Sequence, residues 1–199
     1  MAEEPDHIRA FISIRLDAAV LRRLQQFQKK LEQSVPSEAV RWTPPEQLHL
    51  TLKFLGNVKT DALAEVQAAL AQIAQNFGPL QLRAEGLGAF PSLRNPRVIW
   101  VGLQGDLAAL EQLTGRIEEA MQPWAEKEEK RGFHPHLTLG RVRENGSRHA
   151  RAIGQALQQI TPPVFDAWRA EQFYLMRSQL SPKGATHTKV AEFPLIPKQ

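Results

Sequence analysis

The chain has 199 residues, 42% of them hydrophobic, with 25 basic against 21 acidic side chains for a formal charge of +4. This length leaves room for one domain of ordinary size and not for two large cores. With no cysteine the chain fits a reducing compartment, and no run approaches the ~18 apolar residues of a membrane span. The acidic start, Met1 to Asp6, lacks a basic region and an apolar core, so no signal peptide is expected and the cytoplasm is the expected location.

In chain order, the first seven residues are expected to fray. Ile12, Ile14 and Leu16 alternate as in a half-buried strand. Asp17 then caps a helix whose apolar residues Val20, Leu21, Leu24, Phe27 and Leu31 recur at spacings of 3 and 4. A strand follows at His49-Leu50-Thr51-Leu52, then a helix from about Thr60 to Gln75. Leu80 to Phe90 and Pro96 to Leu103 read as a strand pair turning through Pro91 to Asn95. Asp106 caps a second helix carrying Leu107, Leu110, Leu113 and Ile117, and the mixed charges of Glu126 to Arg131 read as a solvated loop. A strand at His136-Leu137-Thr138-Leu139 precedes a helix from about Ser147 to Gln159. Phe165 to Leu180 pairs with His187 to Phe193 through a turn at Ser181 to Gly184, and Pro197 to Gln199 are expected to fray.

The tetrad His-Leu-Thr-Leu thus occurs twice, 87 residues apart, and the same shift brings Ile12, Ile14 and Leu16 onto Ile99, Val101 and Leu103. The helices align with a two-residue slip. The expected fold is α+β, a two-lobed pseudo-twofold duplication. Each lobe is an antiparallel-rich sheet with helices on its outer face, and the active-site cleft lies between the lobes. The whole of 1–199 forms one bilobal domain, with repeat halves at about 8–95 and 96–197.

In a strand, each tetrad puts His and Thr on one face and two leucines on the other. Two facing copies bring a pair of imidazoles and a pair of hydroxyls to one cleft. Imidazole, with an ordinary pKa near 6.5, can act as base in one copy and acid in the other. In-line displacement at a phosphodiester needs both, on opposite sides of phosphorus, with donors for the non-bridging oxygens. A zinc site is the rival use of paired histidines. It wants three or four ligands including Cys or carboxylate, and neither tetrad contains an acid, so no metal is expected.

The stretches Arg41-Trp42-Thr43-Pro44-Pro45-Glu46-Gln47-Leu48-His49-Leu50-Thr51-Leu52-Lys53-Phe54-Leu55-Gly56 and Phe133-His134-Pro135-His136-Leu137-Thr138-Leu139-Gly140-Arg141 resemble the 2H phosphoesterase superfamily. Within it, the chain is most similar to the RNA 2′,3′-cyclic phosphodiesterases, also called 2′-5′ RNA ligases. Arg9 to Ile14 and Phe90-Pro91 share the resemblance, which runs from about Ile8 to Pro197. It implies hydrolysis of RNA 2′,3′-cyclic phosphate ends to a 2′-phosphate, and the joining of ends through a 2′-5′ linkage. It also implies catalysis without a cofactor. His49 would be the proton donor and His136 the proton acceptor, with Thr51, Thr138 and Arg141 on phosphate. The expected partner is RNA bearing a 2′,3′-cyclic phosphate or a 2′-5′ linkage, with no membrane and no metal, bound by a monomer.

Arg141 is nominally out of phase with His136, and a bulge at Gly140 would re-aim it. Phe11, Trp42 and Phe54 could stack on a base, and Lys53, in phase with His49, could reach phosphate or the strand. Arg143, Arg148 and Arg151 stand where an RNA strand could be held. His134 reads as structural or solvated; His7, His149 and His187 read as plain surface or hydrogen-bonded histidines. The alternative from another class is a non-catalytic protein that binds cyclic-phosphate RNA ends or nucleotides. Binding alone would be served better by Arg or Lys than by two histidines.

Overall fold

The computed structural model describes residues 6–126, 132–181 and 184–196. Its strands are β1 (His7–Arg15), β2 (Val40–Trp42), β3 (His49–Lys59), β4 (Leu80–Ser92), β5 (Asn95–Gly105), β6 (His136–Val142), β7 (Ala167–Ala170), β8 (Gln172–Ser181) and β9 (Gly184–Pro194). Among the described residues, four α-helices lie between them: α1 (Ala18–Ser34), α2 (Leu63–Ala74), α3 (Leu107–Met121) and α4 (Ala150–Gln159). All pairings are antiparallel, in the order β7-β4-β5-β6-β3-β1-β8-β9, with β2 on the free part of the β6 edge. The sheet curls into a half-barrel of two lobes. They meet at β3 and β6, where the paired residues are Leu50 and Leu137, both with no exposed surface.

The duplication is interleaved. In one lobe β1 and β3 are completed by β8 and β9 from the end of the chain; in the other, β5 and β6 are completed by β4 from before them. The helices cross over as well: α1 packs on α4 and β2, whereas α3 packs on α2 and β3. Apolar stripes such as Val20, Leu24, Phe27 and Leu31 of α1 are buried against the sheet core.

Asp17 caps α1 as its spacing requires, its Oδ1 accepting from Val20 N at 2.8 Å. Asp106 stands at the N-cap position of α3 but makes no side-chain cap there. Its Oδ2 accepts instead from Gln81 N at 2.8 Å, because β4 presents a backbone N–H beside it. The fraying expected of the first seven residues does not hold for Asp6 and His7: His7 opens β1, and Asp6 O accepts from Thr60 N at 2.9 Å. Residues 1–5 and 197–199 lie outside the described residues.

The β4–β5 hairpin is tighter than the sequence suggests, with Ser92 paired to Asn95. Phe165 to Leu180 is not one strand: β7 joins β4 and β8 joins β1 and β9, the chain changing lobe at Glu171. In the charged block after α3, Glu126 is exposed as a solvated loop requires but is also tied down, its N donating to Leu55 O at 2.9 Å and its carboxylate accepting from Asn57 at 2.7 Å. The other residues of that block, and Pro182 and Lys183 of the last turn, lie outside the described residues. Among the described residues, no helix is long and apolar enough to cross a membrane.

Candidate active site

The antiparallel pairing of Leu50 with Leu137 sets the geometry of the cleft. One residue to either side along this seam, His49 comes opposite Thr138 and Thr51 opposite His136, so the two motifs cross diagonally. All four side chains are half-buried on the face away from the leucines.

Each imidazole is tied in the same way. His49 Nδ1 lies 2.6 Å from Gln47 O, and His136 Nδ1 lies 2.7 Å from His134 O. A carbonyl can only accept, so Nδ1 carries the hydrogen in both rings, and Nε2 is the site that exchanges protons. Among the described residues no protein group engages either Nε2, or the hydroxyl of Thr51 or Thr138. Gln47 is fixed in turn, its Nε2 donating to Ala185 O in β9.

The rings are packed by aromatic side chains. Phe11 lies 5.0 Å from His49 between ring centroids, and Phe90 lies 5.0 Å from His136. Trp100, at 6.4 Å from His136, lies over Gly88, where a Cβ would come within 2.3 Å of the indole. His134 packs on Trp100 at 5.0 Å and Phe90 at 5.3 Å, a structural role beside the one its carbonyl plays.

Burial holds both histidines below their ordinary values. His49 is pushed down to about 4, chiefly by burial, opposed by its bond to the Gln47 carbonyl and reinforced by the charges of His187 and His136. His136 is also lowered, again chiefly by burial, with His134 and Arg141 adding to the effect against its own carbonyl bond.

Both motif strands carry a bulge just after the threonine. Ser13 pairs with Thr51 but Ile12 with Lys53, and Trp100 pairs with Thr138 but Ile99 with Gly140, so Leu52 and Leu139 are extra residues. The alternation is reset. Arg141 is thereby brought into phase with His136 and Thr138, as the glycine suggested. Burial and the charge of neighbouring Arg41 lower its pKa from the ordinary value. A side chain at Gly140 would be crowded out, since a Cβ would lie 2.7 Å from Val40 Cγ1 and 3.0 Å from Trp42.

The same bulge removes Lys53 from the cleft. Its side chain is 2% exposed and pairs with Glu118 of α3 at 2.6 Å, so the in-phase reading is corrected: the extra residue turns Lys53 to the helix side. Phe54 takes the cleft position, 56% exposed and 6.0 Å from Phe11. Phe11 itself is 3% exposed and serves as packing for His49 more than as an open stacking surface. Trp42 is also corrected. In β2 it lies one residue from Arg41, on the opposite face, and packs over Gly140 against the core.

His187 was expected to be an ordinary surface histidine. Instead its ring lies 5.4 Å from His49 and 4.8 Å from Phe11, and burial lowers its pKa. No local motif marks it, because β9 reaches the cleft only through the β8–β9 hairpin. Arg41, opposite Arg141 on β2, was also missed as a neighbour of the site. Of the other basic residues, Arg151 rides on α4, which packs on β5 as part of the helix layer, and Arg148 Nε donates to the His149 ring at 3.1 Å. Among the described residues no group of three His, Cys, Asp or Glu is arranged to hold a metal ion.

Comparison with known proteins identifies the family of the chain. A family described as LigT like phosphoesterase matches the chain twice, at 14–100 and 101–187, stretches offset by the same 87 residues as the tetrads. An RNA 2′,3′-cyclic phosphodiesterase of Thermus thermophilus is 32% identical over 199 residues, covering 94% of this chain and 90% of that protein. One from Archaeoglobus fulgidus is 28% identical over 186 residues, covering 94% and 99%. Among solved structures, TT0787 of Thermus thermophilus superposes with a TM-score of 0.77 at 26% identity, over 96% of this chain and 100% of that one. E. coli LigT complexed with 3′-AMP gives 0.74 at 26% identity, over 96% and 99%. With two matched units covering most of its length and one bulged His-Leu-Thr-Leu strand in each, the chain belongs to the LigT-like phosphoesterases of the 2H superfamily.

Proposed function

We propose that the protein hydrolyses RNA 2′,3′-cyclic phosphate ends to 2′-phosphates, with 2′-5′ joining of RNA ends as the accompanying reverse-type reaction. The observation that carries this reading is the matched pair of imidazoles, each with Nδ1 tied to the carbonyl two residues back and Nε2 left to exchange protons. The curated relatives named RNA 2′,3′-cyclic phosphodiesterase support the substrate class.

His136 takes a proton from water as its oxygen attacks phosphorus, and His49 protonates the departing ribose O3′. Thr51, Thr138 and Arg141 hold the non-bridging oxygens as charge develops. The depressed pKa of His49 makes its imidazolium a stronger acid than an ordinary one. Phe54, exposed at the cleft, offers a face to a base. The chemistry uses no cofactor, RNA is the partner, the chain acts as a monomer of one bilobal domain, and the setting is cytoplasmic.

The test is incubation with an RNA ending in 2′,3′-cyclic phosphate in the presence of EDTA, followed by end-group analysis. A 2′-phosphate is expected. A 3′-phosphate, or dependence on added zinc or manganese, overturns the reading. A substrate with a far better leaving group should rescue His49→Ala much more than His136→Ala; equal rescue reverses the division of labour.

A further inference from the structure

Arg41 and Arg141 are register partners on β2 and β6. Like charges directly opposed across a strand pair repel one another. The two guanidinium groups are close enough for Arg41 to depress the pKa of Arg141. Among the described residues, no carboxylate lies within ion-pair distance of either.

The fold nevertheless enforces this register. Thr43 N donates to Leu139 O at 2.8 Å and Arg143 N to Ala39 O at 2.9 Å, tying both ends of β2 to β6. Gln28 of α1, only 7% exposed, donates its amide to Thr43 O at 2.8 Å and to Leu139 O at 2.7 Å. Trp42 and Val40 clamp the other face over Gly140. Alternation then leaves Arg41 on the same face as Arg141.

The location is also specific. β2 occupies the edge of β6 where β3 has diverged from it. With Leu139 as the extra residue of the bulge, Arg141 lies two register positions beyond Thr138, about 7 Å of strand, so Arg141 borders the seam and Arg41, across from it on β2, stands one strand further out. Two unneutralised guanidinium groups carried on a fixed backbone register suit a phosphate, which each can hold through two N–H donors.

We propose that Arg41 extends the site to a second phosphate, the phosphodiester one nucleotide upstream of the scissile cyclic phosphate, with Arg141 standing between the two phosphates and Arg41 meeting only the upstream one. This assignment rests on the RNA-end activity proposed above. It makes the protein selective for RNA chains over cyclic mononucleotides, because only a chain supplies the second anion.

The experiment compares wild type, Arg41→Gln, Arg41→Lys and Arg141→Gln on two substrates with the same terminal nucleoside: a 2′,3′-cyclic mononucleotide, and a hexanucleotide ending in the 2′,3′-cyclic phosphate. Arg41→Gln should lower kcat/KM on the hexanucleotide about 10- to 100-fold, mainly through KM, and change the mononucleotide less than about twofold. Arg41→Lys should be intermediate on the hexanucleotide, and Arg141→Gln should lose activity on both. The log–log salt slope for hexanucleotide binding should become shallower by roughly 0.7 in Arg41→Gln, the contribution of one neutralised phosphate on a single strand. Equal losses on the two substrates would place Arg41 at the scissile phosphate, and no loss on either would make it a solvated side chain; each overturns the subsite. If wild type cleaves neither substrate, the activity reading fails by itself. The subsite is then decided by the affinities of the 2′-phosphate-ended hexanucleotide and a nucleoside 2′-phosphate for wild type and Arg41→Gln: selective weakening of the hexanucleotide supports it, and unchanged affinity overturns it.

Discussion

Two histidines with the same tautomer and the same carbonyl tether are distinguished by their neighbours. Each has a phenylalanine at 5.0 Å, but His49 has His187 at 5.4 Å and is pushed down to about 4, while His136 has the more distant His134 at 6.4 Å and is lowered as well. Both rings are therefore neutral in the free protein at pH 7, and an anion bound between them favours protonation of either. The pH profile of kcat/KM should peak below pH 6.5, and that of kcat should peak at higher pH, since the first reports the free protein and the second the complex. Coincident profiles would show that the bound phosphate does not set the proton affinities. His187→Phe keeps a ring and removes a charge, so it should raise the apparent pKa of His49, read by NMR of the imidazole protons. The same depression has a stability consequence of fixed sign: the unfolded chain, with His49 near 6.5, binds its proton before the folded one does. This contribution, up to about 3 kcal/mol, is fully present above pH 6.5 and is lost as the pH falls toward 4. The roles proposed for the threonines and Arg141 are different. Thr51→Val, Thr138→Val and Arg141→Lys should raise the barrier by as much as the 2.7–4 kcal/mol typical of one lost donor in a preorganised anion site, about 10²- to 10³-fold in kcat. They should leave the two kinetic pKa values nearly in place. Wild-type turnover in the valine variants would reduce the threonines to strand support.

At the scale of the element, the bulge after each threonine decides which side chains reach the cleft, and it accounts for both a success and a failure of the sequence reading. Gly140 hinted at a bulge and so at the re-aiming of Arg141; Leu52-Lys53 carries no such sign, and plain alternation put Lys53 on the wrong face. The bulge makes a prediction that separates the two placements. Lys53→Met breaks the pair with Glu118, whose side chain is 28% exposed. The cost should be about 2 kcal/mol in denaturant unfolding, below the 3–5 kcal/mol of a fully buried pair because Glu118 keeps some water. The kcat of the folded enzyme should be unchanged. A large loss of kcat without loss of stability would return Lys53 to the cleft. β2 was hidden for a different reason: three residues are too few to show a period, and its place depends on Gln28, a polar residue on α1 whose two acceptors lie 15 and 111 residues away. His187 was hidden likewise, since its partner His49 comes from another strand of the curled sheet.

At the scale of the whole molecule, the offset of 87 residues made the duplication readable, because the half-buried polar motifs and alternating apolar residues stand in both copies. The exchange of parts between the copies was not readable. Hydrophobic stripes on α1 and α3 say that each helix covers a sheet, not which part of it, and α1 packs on β2 and α4 while α3 packs on α2, β3 and β4. The exchange joins the lobes far more strongly than the Leu50–Leu137 pair alone could. A chain cut in the β4–β5 turn, between Leu93 and Arg94, tests this directly. The first fragment would keep β1 and β3 without β8, β9 or α3, and would carry β4 without its partners β5 and β7. Fully buried residues such as Leu24, Ile12 and Leu82 would then be uncovered, at about 1.5–3 kcal/mol each, more than a marginally stable domain of this size can lose. Neither fragment alone should therefore show a cooperative thermal transition, whereas equimolar fragments should recover both the transition and cleavage of cyclic-phosphate RNA. Two independently cooperative fragments would mean that the lobes fold from their own halves, and that the crossing of helices and strands between them adds little to the stability of either.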